Sequence, residues 1–330
     1  MNTVERGVRR VDCYQQRHVI TSVAVGVLKK YGDDNAGALA SNIAFSSFGA
    51  VFPLLLLLVT VLGIVLAHDA SLEHRVLHSA FAQFPVVGTN LGQNIHTIEG
   101  RSTVAFTVAI LGLVWTCTGL AQGGLFAMSQ IWDLPGPERP NYLTRLGRSV
   151  SFLAVLALGL VVSTAVASLG TVAGHGVVVG GLVDLAAAAV NVGQYFFAFR
   201  ILTPRVVASR HLVPGAVLGG VLWTVLQAVG AVLVWHALRG VSEFYGTFAI
   251  VLGLLAWIKL GVSLTIYVAE FNTVLARHLW PRNLAQPPLT VADQASLAAQ
   301  ATKNQRRPEQ RVEVTFTEPP ATQAEYLAGR

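Results

Sequence analysis

Acidic and basic side chains are scarce in this 330-residue chain: Asp, Glu, Lys and Arg make up only 12% of it, against 53% hydrophobic residues. A soluble domain needs roughly 25% charged residues to cover its surface, so this composition excludes one and points to a bilayer. Cysteine is scarcer still. Cys13 precedes the first long apolar run and Cys117 lies inside another, so the two do not form a disulfide framework and are expected as free thiols. Signatures of soluble enzymes are missing as well: there is no Walker A loop, no H-E-x-x-H, no C-x-x-C and no G-x-S-x-G. The usual grounds for proposing hydrolysis or nucleotide binding are therefore absent.

Long uncharged runs are what the chain does have. Residues 35–68 contain no Lys, Arg, Asp or Glu, which exceeds the roughly 20 apolar residues needed to cross the hydrocarbon. Five further runs follow at about 103–129, 149–173, 178–202, 212–238 and 247–275. The expected fold is an all-α polytopic bundle of about six transmembrane helices, the first at 38–67, flanked by a 1–36 segment and a 277–330 tail.

Basic residues set the orientation. Nineteen of the 23 Lys and Arg fall in residues 1–36, 131–148, 200–211 and 277–330. The intervening connections hold three, Arg75, Arg101 and Arg239, and Lys259 lies inside a span. This asymmetry puts both termini in the cytoplasm, in agreement with an even number of crossings. The net charge of +6 then reflects membrane topology rather than nucleic-acid binding.

The N-terminal MNTVERGVRRVDCYQQRH does not read as a signal peptide, because the apolar stretch after it is short and runs into KKYGDDN. Residues 18–30 read either as an amphipathic helix on the membrane surface, with Lys29 and Lys30 facing headgroups, or as a short helix packed on the bundle. Beyond Pro281 the chain is polar and proline-containing, and apart from a short helix at TVADQASLAAQAT it reads as a disordered cytoplasmic tail.

The first span carries a stripe of small and polar residues. At 100° per residue, Asn42, Ser46, Gly49, Pro53, Thr60 and Gly63 fall within roughly a 100° arc, away from Leu54, Leu55 and Leu58. Such a stripe faces other helices rather than lipid, in ordinary packing or around a polar cavity. Pairs Gly119/Gly123 and Gly215/Gly219 read as close-packing sites of the same kind.

Charges within spans cost at least roughly 2.5–3.5 kcal/mol unless paired or hydrated. Lys259 falls near the middle of the sixth run, and Glu270, eleven residues on, lies 20° away on the same face with Ser263 between them. Asp184 shares a stripe with Asn191 and Tyr195. Together with Asn42, Ser46 and Pro53, the residues Asp184, Asn191, Lys259 and Glu270 are candidates for one intramembrane polar zone, with Asp184 the favoured partner of Lys259. The alternative is that Lys259 snorkels or meets a structural carboxylate and Glu270 sits at the interface.

Histidines His68, His74, His78, His96, His175 and His236 fall on or near the extracytoplasmic side. His74 and His78, one helical turn apart, supply only two ligands, so no metal site and no cofactor are expected.

NIAFSSFGAVFP (42–53), LVPGAVLGGVLW (212–223) and FYGTFAIVLGLLAWIKLGVSLTIYVAEFN (244–272) resemble the YihY/BrkB family of bacterial inner-membrane proteins, sometimes labelled ribonuclease BN, over about residues 20–282. The resemblance implies six membrane helices and a plasma-membrane address. Asn42, Pro53, Pro214, Gly215, Tyr245, Gly246 and Glu270 match its motifs, while Lys259 stands where an aromatic is usual and Val268 where glycine is common. Polar helix faces at membrane depth are tolerated where they line protein or water, so a transporter-like or lipid-associated conduit is the first functional expectation and a non-transporting scaffold or virulence-associated envelope protein the second. Ribonuclease chemistry is not expected, because His18, His211 and His278 lie far apart in sequence and the cytoplasmic carboxylates show no paired spacing. Membrane lipids are the implied partners. A second copy and a cytoplasmic partner of the tail are further candidates, and nucleic acid is not one.

Overall fold

The computed structural model describes residues 3–66, 102–138, 140–172 and 177–320. The histidines at 68, 74, 78, 96 and 175 lie outside them, as do the side chains of His236, Tyr245 and Gly246. Among the described residues there is no strand. The helices are α1 (Thr3–Arg17), α2 (Val19–Asp33), α3 (Ala36–Leu66), α4 (Ser102–Ile131), α5 (Tyr142–Val172), α6 (Val177–Leu202), α7 (Val213–Arg277) and α8 (Val291–Lys303). Among the described residues five stretches, in α3, α4, α5, α6 and the second half of α7, are long and apolar enough to cross a membrane. Large apolar side chains point outward from them, Trp115 at 82% exposure and Leu185 at 67%, as lipid-facing residues do.

Glycine sets the spacing of the bundle. The small stripe of α3 lies along a glycine-rich stripe of α4: a Cβ on Gly112 would meet Pro53 at 3.2 Å, one on Gly119 would meet Ser46 at 3.9 Å, and one on Gly123 would meet Ile43 at 3.3 Å. Numbers rise on one helix as they fall on the other, so the pair is antiparallel. The stripe thus serves close packing, and the cavity reading is set aside for Ser46 and Pro53. Gly219 and Gly220 do the same work between α7 and α6, against the Tyr195 ring and the backbone of Val192.

A straight α7 would be about 98 Å long at 1.5 Å per residue, some three times the hydrocarbon thickness. The chain instead folds back on itself. Gly215 lies against Asn272, Trp223 against Gly261 and Gly230 against Trp257, and Gly230 and Trp257 would be about 40 Å apart on a straight helix. The two runs expected at 212–238 and 247–275 therefore form an antiparallel helical hairpin. Asn272 closes its buried start, accepting the Gly215 N–H at 2.7 Å and donating to the Leu212 carbonyl at 3.4 Å. It supplies from the opposite leg the cap that Leu212 lacks, just where Pro214 has no N–H to offer.

Besides Asn35 at φ 50° after α2, two helices end on residues other than glycine in the left-handed region, Asp133 at φ 47° after α4 and His278 at φ 52° after α7. In both, the following N–H reaches back five residues, Leu134 to Ser129 and Leu279 to Val274, in a Schellman-type closure. Aspartate tolerates this conformation better than most residues, and at 133 the turn delivers its carboxylate to a charged cluster.

The tail departs from expectation. Residues 278–303 are folded against α1 and α2 rather than disordered, and Arg282 is 1% exposed. Its Nε donates to Asp293 at 2.9 Å and its guanidinium to Asp33 at 2.6 Å. Gln15 donates to the Arg282 carbonyl at 2.9 Å, Gln16 to Asn283 at 2.6 Å, and Asp12 accepts the Leu284 N–H at 3.0 Å. A capping box between Thr290 and Asp293 starts α8. Burial alone would raise the Asp293 carboxyl, but the Asn283 N–H, Arg282 and Lys29 outweigh it and hold it below the usual carboxylate range. Polar composition suggested disorder, yet these polar groups are paired with one another across 250 residues of sequence. A composition count cannot see such pairing.

Candidate functional site

Helix α2 is packed on the bundle, with Ser22, Val23, Gly26 and Lys30 buried. The surface-helix reading of Lys29 and Lys30 is thereby corrected. Lys29 donates to the Asn283 carbonyl and lies 3.4 Å from Asp293, while Lys30 is fully buried. Its ammonium contacts Asp34 one turn on and Asp133 at 3.1 Å. Lys303 of α8 reaches the same two carboxylates at 2.7 and 3.5 Å, and Arg277 approaches Asp133 at 3.3 Å. Burial by itself would lower the Lys30 ammonium, but Glu270, Asp133 and Asp34 together overturn that and hold it above the usual lysine range. The start of α3, the end of α4, the end of α7 and the tail helix are thus tied at one point.

Glu270 belongs to this cluster and not to the membrane centre. It is fully buried, neither carboxyl oxygen has a hydrogen-bond donor, and Lys30, Asp34 and Asp133 are its charged neighbours. Along the same face of α7 lie Tyr267, stacked on Tyr31 with centroids 3.9 Å apart, Ser263, which faces the Tyr31 hydroxyl, and Lys259. The shared face of Lys259, Ser263 and Glu270 is present, and it is turned toward α2 and α3.

Lys259 does not pair with Asp184. Its ammonium donates to the Gly37 carbonyl at 2.8 Å and to Ser41 Oγ at 2.6 Å, both in the first turns of α3. Thr265, which bonds Tyr195 of α6 at 3.0 Å, lies about 120° around the helix from Lys259, so α6 meets a different face. The four-carbon stem carries the charge toward the end of the bundle, as a snorkelling lysine does. Asp184 is exposed near the start of α6. Asn191 donates to Thr224 at 3.0 Å, joining α6 to the first leg of α7, and Asn42 is exposed on α3. The proposed single polar zone is therefore divided among separate contacts: α3 on α4, α6 on α7, Lys259 on α3, and Glu270 in the end cluster.

Around Lys259 the surface has an amphipathic form. Ser41, Phe45, Phe48 and Phe52 follow one another up α3 at spacings of four, three and four, with Phe45 73% and Phe52 57% exposed and Phe48 edge-on to Phe52. On α7, Leu252 lies one heptad above Lys259 and is 48% exposed. A half-buried ammonium and a hydroxyl thus sit beside exposed aromatic side chains of α3 and an exposed leucine of α7. Lipid amphiphiles have that same shape, an anionic head below an apolar tail.

Sequence reasoning missed the Lys30 cluster. Lys30 and Asp34 stand at the i, i+4 spacing of a helical ion pair in KKYGDDN, which was a usable signal. Asp133 and Lys303 carried none, since only folding brings them there.

A family model described as Virulence factor BrkB matches residues 27–290. No curated protein and no solved structure matches the chain.

Proposed function

The chain belongs to the BrkB family, and from that premise we propose a multi-pass protein of the bacterial plasma membrane that acts as a lipid-associated, transporter-like conduit. The observation that carries the reading is the Lys259–Ser41 contact between α3 and the second leg of α7, which with the exposed Phe45, Phe52 and Leu252 we read as a lipid furrow. An anionic headgroup would take the remaining donor capacity of Lys259, and its chains would lie along the phenylalanines. Ribonuclease action and nucleic-acid binding form no part of this reading.

The test is transbilayer movement of fluorescent lipid analogues in vesicles containing purified protein. Wild-type protein is expected to accelerate an anionic analogue over a zwitterionic one, and Lys259→Gln to reduce that preference about fivefold, the effect of roughly 1 kcal/mol for one basic residue near a lipid surface. Arg205→Gln, at an exposed site away from the furrow, should leave it intact. Rates no faster than in protein-free vesicles would remove the conduit reading. The scaffold alternative would then have to work through residues beyond about 304, because 282–296 are engaged with α1 and α2.

Six crossings with both ends in the cytoplasm complete the proposal. Support comes from the α7 hairpin, from the N-terminal helices and the tail meeting at one end of the bundle, and from the clustering of Lys and Arg. In a background with Cys13 and Cys117 replaced by serine, cysteines at Ser71 and Glu99 are expected to react with an impermeant thiol reagent added outside. Cysteines at Pro137 and Gln300 should not, and outside labelling at Gln300 would break the topology.

A further inference from the structure

Glu270 poses a problem of charge. Its side chain is fully buried, both oxygens lack a donor, and among the described residues no cation lies within ion-pair distance of it. Lys30, the nearest candidate, directs its ammonium to Asp34 and Asp133 instead. Another carboxyl, that of Asp34, faces it instead. Two ionised carboxylates side by side in a site shielded from water repel strongly, and an isolated buried carboxylate costs far more than one accepting hydrogen bonds. A single proton resolves both difficulties: it gives the pair an O–H···O bond and removes one negative charge.

We infer that Glu270 and Asp34 form a proton-binding site, holding one proton between their carboxyl groups where α2, α3 and α7 meet. The inference does not depend on the lipid furrow. The groups facing the pair are Lys30 and Tyr31 from α2, Asp133 from the turn after α4, Tyr267 from α7 and Lys303 from α8. Both Asp34 oxygens meet ammonium groups, Oδ2 that of Lys30 and Oδ1 that of Lys303 at 2.7 Å, and the Lys303 side chain is 11% exposed. Gain or loss of that proton changes by one the charge that Lys30, Arg277 and Lys303 must balance, in the cluster that also holds the tail helix to the bundle. The site therefore couples proton uptake to the junction of the tail with α3 and α7. A proton is a ligand that membrane proteins commonly use to drive or gate movement, and carboxyls at such positions are its usual carriers.

The experiment is infrared spectroscopy of the intact purified protein in lipid nanodiscs at neutral pH, with and without carbon-13 glutamate or aspartate labelling. The expected result is a protonated-carboxyl C=O band that shifts in heavy water, shifts with one of the two labels and is lost in Glu270→Gln. In Asp34→Asn the band should move or vanish, and in Asp184→Asn it should remain. Thermal melting supplies a second readout. Glutamine mimics a neutral glutamic acid, so Glu270→Gln should melt within a degree or two of wild type, whereas Asp34→Asn, which strips Lys30 and Lys303 of a counter-ion, should melt clearly lower. Absence of a protonated-carboxyl band in the labelled wild-type protein, or its persistence in Glu270→Gln, would overturn the inference. If Glu270→Gln does not fold, the neutral isostere has failed to replace the residue and the shared proton is rejected on that ground too.

Discussion

Replacing Lys30 with methionine is expected to destabilise the protein by about 3–5 kcal/mol, the cost of removing one partner from a buried ion pair and leaving the other uncompensated. Methionine nearly preserves the volume, so the loss would not be one of packing. Lys30 is fully buried with its charge between Asp34 and Asp133, themselves fully buried side chains. The sign of the pH dependence follows from the raised Lys30 value. The ammonium contributes its full stabilisation below the unfolded lysine value of about 10.4 and loses it only as pH rises through the higher folded value. Wild type should accordingly lose this stabilisation at strongly alkaline pH, whereas the methionine variant should already lack it at neutral pH. Fluorescence-detected size exclusion after heating in detergent would measure both. A loss below about 1 kcal/mol would place the cluster among solvated surface pairs instead. Asp34→Asn in the Lys30→Met background should restore part of the loss, because it removes one of the two carboxylates left to share Lys303.

Substituting Gly220 with alanine is expected to cost about 1–3 kcal/mol, the range for forcing an extra methyl into a packed contact. A Cβ at Gly220 would stand 2.5 Å from a Val192 methyl, 2.6 Å from the Val192 backbone nitrogen and 2.7 Å from its Cα. Since backbone cannot rotate aside as a side-chain tip can, α6 and the first leg of α7 must separate. Gly193 is the control: it lies next to Val192 on α6, and a Cβ there would meet nothing within 4 Å. Gly193→Ala should therefore be neutral or stabilising by up to about 1 kcal/mol, through helix propensity. Thermal melting of the two variants in the same lipid would compare them. Equal losses would mean that helix approach at Gly220 is not what its lack of a side chain serves.

How far the sequence could be read depended on the range of the interaction concerned. Solvent transfer is a local property, so residues 35–68, without a single charge, announced a membrane helix before any neighbour was known. Angular spacing is likewise local, and it placed Lys259, Ser263 and Glu270 on one face of the last span, where they are found. It also marked the small stripe of α3 and the paired glycines as close contacts, which Pro53 against Gly112 and Tyr195 against Gly219 bear out. The motifs at 42–53, 212–223 and 244–272 pointed to the family whose model spans 27–290.

Which face meets which neighbour is not a local property. Lys259 and Asp184 seemed suited to one another by charge and depth, but α7 turns the lysine toward Gly37 and Ser41 of α3 and leaves Asp184 exposed. A rotation of 120° about one helix axis decides that, and helical periodicity leaves it free. The tail is the plainest case: by composition residues 282–296 are too polar to form a core, and they form none. They are held by Arg282, Asn283, Asp293 and the Leu284 N–H pairing with Asp33, Gln16, Lys29 and Asp12 in turn. Hydrogen bonds and ion pairs are directional and short-ranged, so their worth appears only when distant segments meet. The sequence by itself therefore determined that this protein lives in a membrane, where its helices run and which stripes are small enough to touch. Tertiary structure alone decided that Lys30, Asp34, Asp133, Glu270 and Lys303 converge, because only three-dimensional packing could bring their charges within a few ångströms and shut out the water that would otherwise screen them.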